Sequence, residues 1–215
     1  IGYNGVESIS ANGNTLYIGG AFSYVNGVNQ RAIAAVNATS GALLDWDPPI
    51  LSTSETSIVR YHDGSVFVAG YASGVSSLSF RVYDAVSDVA LPWPITNGSV
   101  KAMVFKGDTL FIAGLFTEVG GIPRQRLAAF DVTTAELLDW DPGVNGVVDA
   151  LTVLDDVLYV GGDFTQFAGV ERSFFSAMDL TTNTVLPWDP KVTGSNSEVD
   201  VNALVPSGNQ ILTLG

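Results

Sequence analysis

The chain has 215 residues, of which 47% are hydrophobic and 14% are charged, so it is long enough to bury a substantial core. Its net charge of −13 repels phosphates and anionic lipid headgroups, which argues against nucleic-acid binding, and no apolar stretch approaches the length of a membrane span. With no cysteine, 23 glycines and 9 prolines, the chain lacks disulfides and thiolate metal sites and is typical of short strands joined by turns.

Four segments of the chain have similar sequences. The runs Leu16–Phe22, Leu110–Phe116 and Leu158–Phe164 share one pattern, and Val66–Gly70 is a weaker copy. An Asn or Asp follows the last motif glycine after 17 residues in three copies and after 14 in the second, and a tryptophan always follows nine residues later. All four tryptophans of the chain therefore fall at one phase of an internal repeat of about 47 residues.

In chain order, the first repeat predicts strands at Val6–Ser10, Leu16–Gly20, Ala32–Asn37 and Leu43–Trp46. The fourth repeat predicts the same order, with strands at Val148–Val153, Val157–Gly162, Arg172–Asp179 and Thr184–Trp188. Four strands per repeat at this period predict an all-β fold, a β-propeller of four-stranded blades. The repeats are placed at about 6–50, 57–98, 100–146 and 148–195, and 201–215 begins a fifth. We expect this partial propeller, residues 1–215, to belong to a larger ring, closed by further chain or by a neighbouring subunit.

The residues that recur at one phase are interpreted as packing residues, because a binding site would need only one or two copies. Paired glycines permit a bulge or a close backbone approach, each phenylalanine is expected to lie under the following loop, and each tryptophan between adjacent blades. These signature residues are Gly19, Gly20, Phe22, Trp46, Gly70, Trp93, Gly114, Phe116, Trp140, Gly161, Gly162, Phe164 and Trp188.

The pattern of Gly19-Gly20-Ala21-Phe22, a strand that ends in Asp or Asn, and a close at Trp46-Asp47-Pro48 resembles the delta-60 repeat family of β-propellers. The resemblance covers essentially the whole chain, although the second repeat has Ala72 at the phenylalanine position and lacks the Asp after Trp93. It implies a secreted or cell-surface protein, and it supplies no catalytic residues.

Few residues offer chemistry. His62 lies beside a predicted turn without a triad partner at a recognisable spacing, and no Gly-Lys-Ser/Thr follows the paired glycines. The pairs Asp45/Asp47 and Asp139/Asp141 suit Ca²⁺ ligation or glycoside hydrolysis, but their recurrence at the repeat phase favours turn chemistry. We therefore expect no catalytic residues, no cofactor and no metal, with Ca²⁺ as the alternative. Asn37 and Asn97 match the N-glycosylation acceptor pattern.

The longer loops are expected to share one rim, where binding usually resides. This favours a non-enzymatic, extracellular or cell-surface module that binds a protein partner or a neighbouring subunit. Glycan binding through Tyr24, Phe167 and Tyr71 is an alternative, and a carboxylate-based hydrolase is a weaker one. Nucleic-acid binding and membrane insertion are not expected. The loops are Ala21–Gln30, Asp47–Ser57, Leu115–Pro123, Asp163–Glu171 and Asp189–Asp200.

Overall fold

The computed structural model of the chain describes residues 5–49, 58–70, 80–192, 201–208 and 210–214. The described residues form β-strands, turns and loops, and they fall into two compact units, Ile1–Val100 and Lys101–Gly215. The all-β class predicted from the sequence is thus confirmed.

The first unit contains two three-stranded antiparallel sheets, ordered β1-β2-β5 and β6-β7-β8, and a small hairpin, β3-β4. The strands are β1 (Val6–Asn12), β2 (Thr15–Gly20), β3 (Tyr24–Val25), β4 (Val28–Asn29), β5 (Ile33–Asn37), β6 (Ile58–His62), β7 (Ser65–Ala69) and β8 (Phe80–Asp84).

The second unit contains sheets ordered β13-β10-β9 and β14-β15-β18-β19, and the hairpins β11-β12, β16-β17 and β20-β21. The strands are β9 (Val100–Lys106), β10 (Thr109–Gly114), β11 (Glu118–Val119), β12 (Ile122–Pro123), β13 (Leu127–Asp131), β14 (Ala150–Leu154), β15 (Val157–Gly161), β16 (Gln166–Phe167), β17 (Val170–Glu171), β18 (Phe175–Asp179), β19 (Thr184–Val185), β20 (Ala203–Ser207) and β21 (Gln210–Leu214).

The fourth strand of each repeat is shorter than predicted. Among these fourth segments, only the one in the fourth repeat, β19, forms a strand, and it has two residues. In the other three repeats the ladder is a single bridge, Val36↔Leu43, Tyr83↔Ala90 or Phe130↔Leu137. The prediction of a strand at Leu43–Trp46 is therefore wrong. The physical reason is a tight three-residue turn, in which the backbone N–H of Trp46 donates to the carbonyl of Leu44 at 2.9 Å and pulls the chain out of the sheet.

The core lies between stacked sheets of the same unit. The middle strand β10 is buried throughout Leu110–Gly114, as its continuous apolar run predicts. The strands beside the middle ones carry small buried residues such as Ala35 and Ala177, which let neighbouring sheets approach closely.

The motif glycines lie at points of close approach. A Cβ on Gly20 would collide with the carbonyl oxygen of Gly5, and one on Gly162 with that of Val147. Opposite the first glycine pair, the pairing of β1 with β2 shifts register between Val6 and Ser8. A bulge therefore lies in the strand that faces the glycines.

The Asn or Asp that ends the outer long strand of each sheet shapes the next turn. In every repeat its side-chain oxygen accepts hydrogen bonds from the backbone N–H groups two and three residues later, at 2.7 to 3.0 Å. Short polar side chains are favoured at such positions because they complete the turn locally. The four residues are Asn37, Asp84, Asp131 and Asp179.

Candidate interaction surface

Each tryptophan packs edge-on against an aromatic side chain of the middle strand of its own repeat. The ring centroids are 5.0 to 5.1 Å apart and the rings are inclined by 73° to 87°, a favourable geometry for aromatic pairs. The pairs are Tyr17–Trp46, Phe67–Trp93, Phe111–Trp140 and Tyr159–Trp188.

Two indole groups also bind the following repeat. The Trp46 indole N–H donates to the carbonyl of Asp84 at 3.1 Å, and the Trp140 indole N–H donates to Asn183 Oδ1 at 3.2 Å. Trp46 is only 4% exposed, as predicted, whereas Trp140 and Trp188 are half-buried, less than predicted. Trp46 and Trp140 therefore link consecutive repeats through their side chains.

Three of the long loops contain two-residue β-hairpins, which we call the rim hairpins: β3-β4, β11-β12 and β16-β17. Their central residues have φ values of 52° and 80° at Asn26-Gly27, 58° and 80° at Gly120-Gly121, and 49° and 77° at Ala168-Gly169. Positive φ at both positions defines the type I′ turn that matches strand twist. Sequence reasoning treated these segments as loops, although Asn26-Gly27 is a strong hairpin signal.

The rim hairpins of the second unit are anchored from below. Phe116 and Val119 are fully buried beneath β11-β12, and Phe164 and Phe167 beneath β16-β17. The expectation that each phenylalanine lies under its loop therefore holds in this unit, while Phe22 is half-buried. The expectation that Phe167 is an exposed, glycan-stacking aromatic is wrong, because its ring fills the core of the second unit.

A long polar side chain closes each rim hairpin against the segment that precedes the tryptophan. Arg124 donates to the carbonyl of Leu138 at 2.9 Å, and Arg172 to the carbonyl of Leu186 at 3.2 Å. Each guanidinium also lies 3.7 to 3.8 Å from an aspartate beside the tryptophan, Asp139 or Asp189.

Gln30 replaces the arginine in the first repeat. Its Nε2 donates to Asp47 Oδ1 at 2.9 Å and to the carbonyl of Ile33 at 3.0 Å. Sequence reasoning missed this clamp, although its residues all stand ten positions after a motif glycine. One aspartate beside each of these three tryptophans therefore lies next to the clamp: Asp47 and Asp189 with partly buried partners, and Asp139 with its own side chain exposed.

The tips of the rim hairpins expose apolar side chains at one repeated position, Val28, Ile122 and Val170. Tyr24 on the first hairpin is 64% exposed, and the equivalent positions carry Glu118 and Gln166. Each tip thus carries an exposed apolar residue at the same position, and the three tips differ in the residue four positions earlier. Tyr71, the third predicted glycan-stacking residue, lies outside the described residues.

One polar cavity of about 390 Å³ lies beside the rim hairpin β16-β17. The Asn145 side chain holds its wall together by accepting from the backbone N–H groups of Thr165 and Gln166 at 3.0 and 2.9 Å. The Glu171 carboxylate and the Ser173 hydroxyl also line it. The cavity offers acceptors and donors but no aromatic surface.

The described residues contain no group of three or more His, Cys, Asp or Glu side chains placed to hold a metal ion. His62 ends β6 and pairs across the turn with Ser65. In the part of the chain that the structure covers, no helix is long and apolar enough to span a membrane.

Comparison with known structures bears on the fold. The chain is similar to the computationally designed protein Ika8, with 15% identity, a TM-score of 0.59, and coverage of 97% of this chain and 67% of that one. It is also similar to the Neurospora crassa Pan2 WD40 domain, with 10% identity, a TM-score of 0.57, and coverage of 94% of this chain and 56% of that one. The chain has the fold class of β-propellers.

A third similar structure is the extracellular domain of a protein from B. thetaiotaomicron that is described as a hybrid two-component system. The identity is 13% and the TM-score 0.60, and the match covers 93% of this chain and 24% of that one. At these identities the likeness concerns the fold alone. No protein-family model and no curated protein matches the sequence.

Proposed function

We propose that this chain is a non-catalytic protein-interaction module that binds its partner through the tips of the rim hairpins. The observation that carries the proposal is the exposure of Val28, Ile122 and Val170 at one repeated position on hairpins with type I′ turns. Apolar side chains on a rigid support contribute to binding because little conformational entropy is lost when the partner docks.

Side-chain packing and backbone hydrogen bonds hold the hairpins below the tips in place. In the second unit, buried phenylalanines and the Arg124 and Arg172 clamps fix the hairpins. The residue before each third strand is held at positive φ although it is not glycine, with φ of 62° at Ala32, 70° at Arg126 and 66° at Phe174. Such backbone persists only where its surroundings enforce it.

The proposal includes finer statements about class and location. The repeat is of the delta-60 type, each repeat forms one blade, and the protein acts outside the cell or at its surface. The net charge of −13 and the resemblance of the repeat support this assignment. Tagged protein located by immunofluorescence on unpermeabilised source cells tests the location, and signal only after permeabilisation would contradict it.

The binding test uses the full chain as bait in an extract of the source organism. The matched variant replaces Val28, Ile122 and Val170 with Glu, and the control is Val86→Glu, at a strongly exposed turn position outside the tips. A partner identified by mass spectrometry is then purified and titrated. We expect a loss of roughly tenfold or more in affinity for the triple variant, since docking would bury three carboxylates that have no partner, and unchanged binding for the control. Equal binding by all three proteins would refute the rim hairpins as the binding surface.

A second candidate function is glycan binding in the polar cavity beside β16-β17. Its hydroxyl, amide and carboxylate groups from Thr165, Gln166, Glu171 and Ser173 suit the hydroxyls of a saccharide. A glycan array read with the native chain and with Glu171→Gln separates this function from protein binding. A signal that Glu171→Gln leaves unchanged would place the saccharide elsewhere.

A further inference from the structure

The polar cavity beside β16-β17 is held in shape by contacts within the second unit. Besides accepting two backbone hydrogen bonds, the Asn145 side chain donates from Nδ2 to Thr165 Oγ1 at 2.9 Å. The neighbouring Val144 forms a β-bridge with Phe167, whose side chain is fully buried. The wall of the cavity is therefore fixed before a ligand arrives, so little conformational entropy is lost on binding.

The acceptors of the cavity surround one negative charge. Glu171 is the one charged side chain among the described residues that line it. Glu171 pairs across the hairpin with Gln166, so the carboxylate and the amide lie side by side on one face of the ladder. The Ser173 hydroxyl lines the same cavity. All three groups accept hydrogen bonds, and the carboxylate accepts the strongest ones from a positively charged donor.

The basic residue next in sequence does not neutralise Glu171. The Arg172 guanidinium donates to the carbonyl of Leu186 at 3.2 Å and lies 3.8 Å from Asp189. Its other hydrogen bond goes to the main-chain carbonyl of Glu171 and not to the carboxylate. In the described part of the chain, no lysine or arginine forms an ion pair with Glu171. The exposed carboxylate can therefore pair with a cation from outside the chain.

The cavity adjoins one of the apolar tips. Val170 is 37% exposed and directly precedes Glu171 in β17. A partner that contacts Val170 therefore brings its own adjacent side chains to the cavity. The other two rim hairpins carry Asn29 and Pro123 at the position of Glu171, so the charged acceptor distinguishes this tip from the other two.

We propose that this cavity receives a lysine or arginine side chain of the protein partner that docks on the rim hairpins. The inference rests on the function proposed above and names the chemistry of the partner at one tip. An ammonium or guanidinium group donates several hydrogen bonds and accepts none, which matches the acceptors of Glu171, Gln166 and Ser173. The net charge of −13 also attracts basic surfaces from a distance. A neutral saccharide offers no positive charge to pair with Glu171.

The test titrates small probes into the isotopically labelled full chain and follows the amide signals of Asn145, Gln166 and Ser173 by nuclear magnetic resonance. The basic probes are N-acetyl-lysine amide and N-acetyl-arginine amide. The neutral probes are N-acetyl-norleucine amide, which has an aliphatic side chain without the charge, and N-acetylglucosamine. Sodium chloride added to the neutral probes matches the ionic strength. Because a single exposed ion pair binds weakly, the titration extends to on the order of 100 mM.

The two basic probes should shift these signals, and the two neutral probes should leave them in place. Glu171→Gln removes the charge but keeps the size of the side chain, and it should weaken binding of the basic probes by roughly fivefold or more. The matched control is Glu136→Gln, which removes an exposed carboxylate from the turn after β13 and should bind the probes like the native chain. Circular dichroism checks that both variants are folded. Equal shifts with norleucine and lysine probes, larger shifts with N-acetylglucosamine, or unchanged lysine binding by Glu171→Gln would each overturn the proposal.

The partner obtained in the rim-hairpin experiment separates this inference from the function on which it rests. A partner whose affinity falls with the triple variant but not with Glu171→Gln would support the rim hairpins and overturn the basic side chain in the cavity. A lysine probe that binds through Glu171, while the triple variant keeps its partner, would support the cavity as a site for basic side chains and refute docking on the tips. A loss of partner affinity in both variants would support both.

Discussion

Trp46→Ala is a substitution for which the structure predicts a large loss of stability. The side chain is buried, lies edge-on to Tyr17 and Tyr83 at centroid distances of 5.0 and 6.4 Å, and donates to the Asp84 carbonyl. Truncation of a buried aromatic residue costs about 3–5 kcal/mol. Because the lost indole also leaves a carbonyl without its donor, we expect the upper part of that range, about 4–5 kcal/mol.

The matched comparison is Trp140→Ala, at the same phase of the repeat. Its indole is half-buried and its acceptor is an exposed side chain, so we expect a smaller loss of about 2–3 kcal/mol. Trp46→Phe keeps an aromatic ring but removes the N–H donor, and should cost about 1–2 kcal/mol.

Urea unfolding followed by far-ultraviolet circular dichroism measures these losses as shifts of midpoint at an unchanged slope. The reasoning would be refuted by a loss below about 1 kcal/mol for Trp46→Ala, or by a larger loss for Trp140→Ala than for Trp46→Ala.

Three further predictions follow from local structure. Ala32→Gly should raise the unfolding free energy by about 0.5–1 kcal/mol, because Ala32 has a φ of 62° that glycine adopts without strain; a lower urea midpoint would contradict this. Arg172→Met should cost about 1–3 kcal/mol by removing the donor to the Leu186 carbonyl. Lys191→Met, which removes the exposed ammonium paired with Asp189, should change the unfolding free energy by less than about 0.5 kcal/mol. Backbone N–H donors hold the pKa of Asp84 and of Asp179 below the usual value. The two ionised carboxylates therefore stabilise the fold above about pH 4, and this contribution is lost as the pH falls through the lower folded pKa. Asp84→Asn preserves the turn, as Asn37 does in the first repeat, and should make the melting temperature less sensitive to acid between about pH 5 and pH 2; an acid profile identical to that of the native chain would contradict this cause.

The repeat and its strand order were predictable from the sequence because they depend on periodic apolar residues. The constant step from Asn37 to Trp46 and from Asp179 to Trp188 reflects a turn and an aromatic contact that recur in space. Strand bounds differ by one to three residues: in the fourth repeat the second strand ends at Gly161 and the third begins at Phe175, because Phe174 has a φ of 66° that lies outside the strand region.

The short fourth strands and the rim hairpins depend on local backbone geometry that residue types alone do not predict. The turn before Trp46 arises from an N–H that bonds two residues back, and a Leu-Asp-Trp sequence carries no signature for it. Positive φ at Arg126 and Phe174 is enforced by two backbone bonds, to Phe116 and Gly114 in one repeat and to their equivalents in the other. A position in a long loop predicts an exposed side chain for Phe167, whereas the hairpin β16-β17 directs this side chain into the core.

A main-chain hydrogen bond closes the base of each rim hairpin, in addition to the side-chain clamp. The N–H of Gln30 bonds to the carbonyl of Ser23, that of Arg124 to Thr117, and that of Arg172 to Thr165, at 2.9 to 3.2 Å. Val119 and Phe167 are buried within these hairpins, whereas the residues at the turns and the exposed residues beside them contribute little to the fold, so only those exposed tip residues are interchangeable among the three sites at small cost in stability. The scaffold is consequently suited to diversification, since a library of tip sequences at one hairpin would sample new binding specificities on an unchanged core.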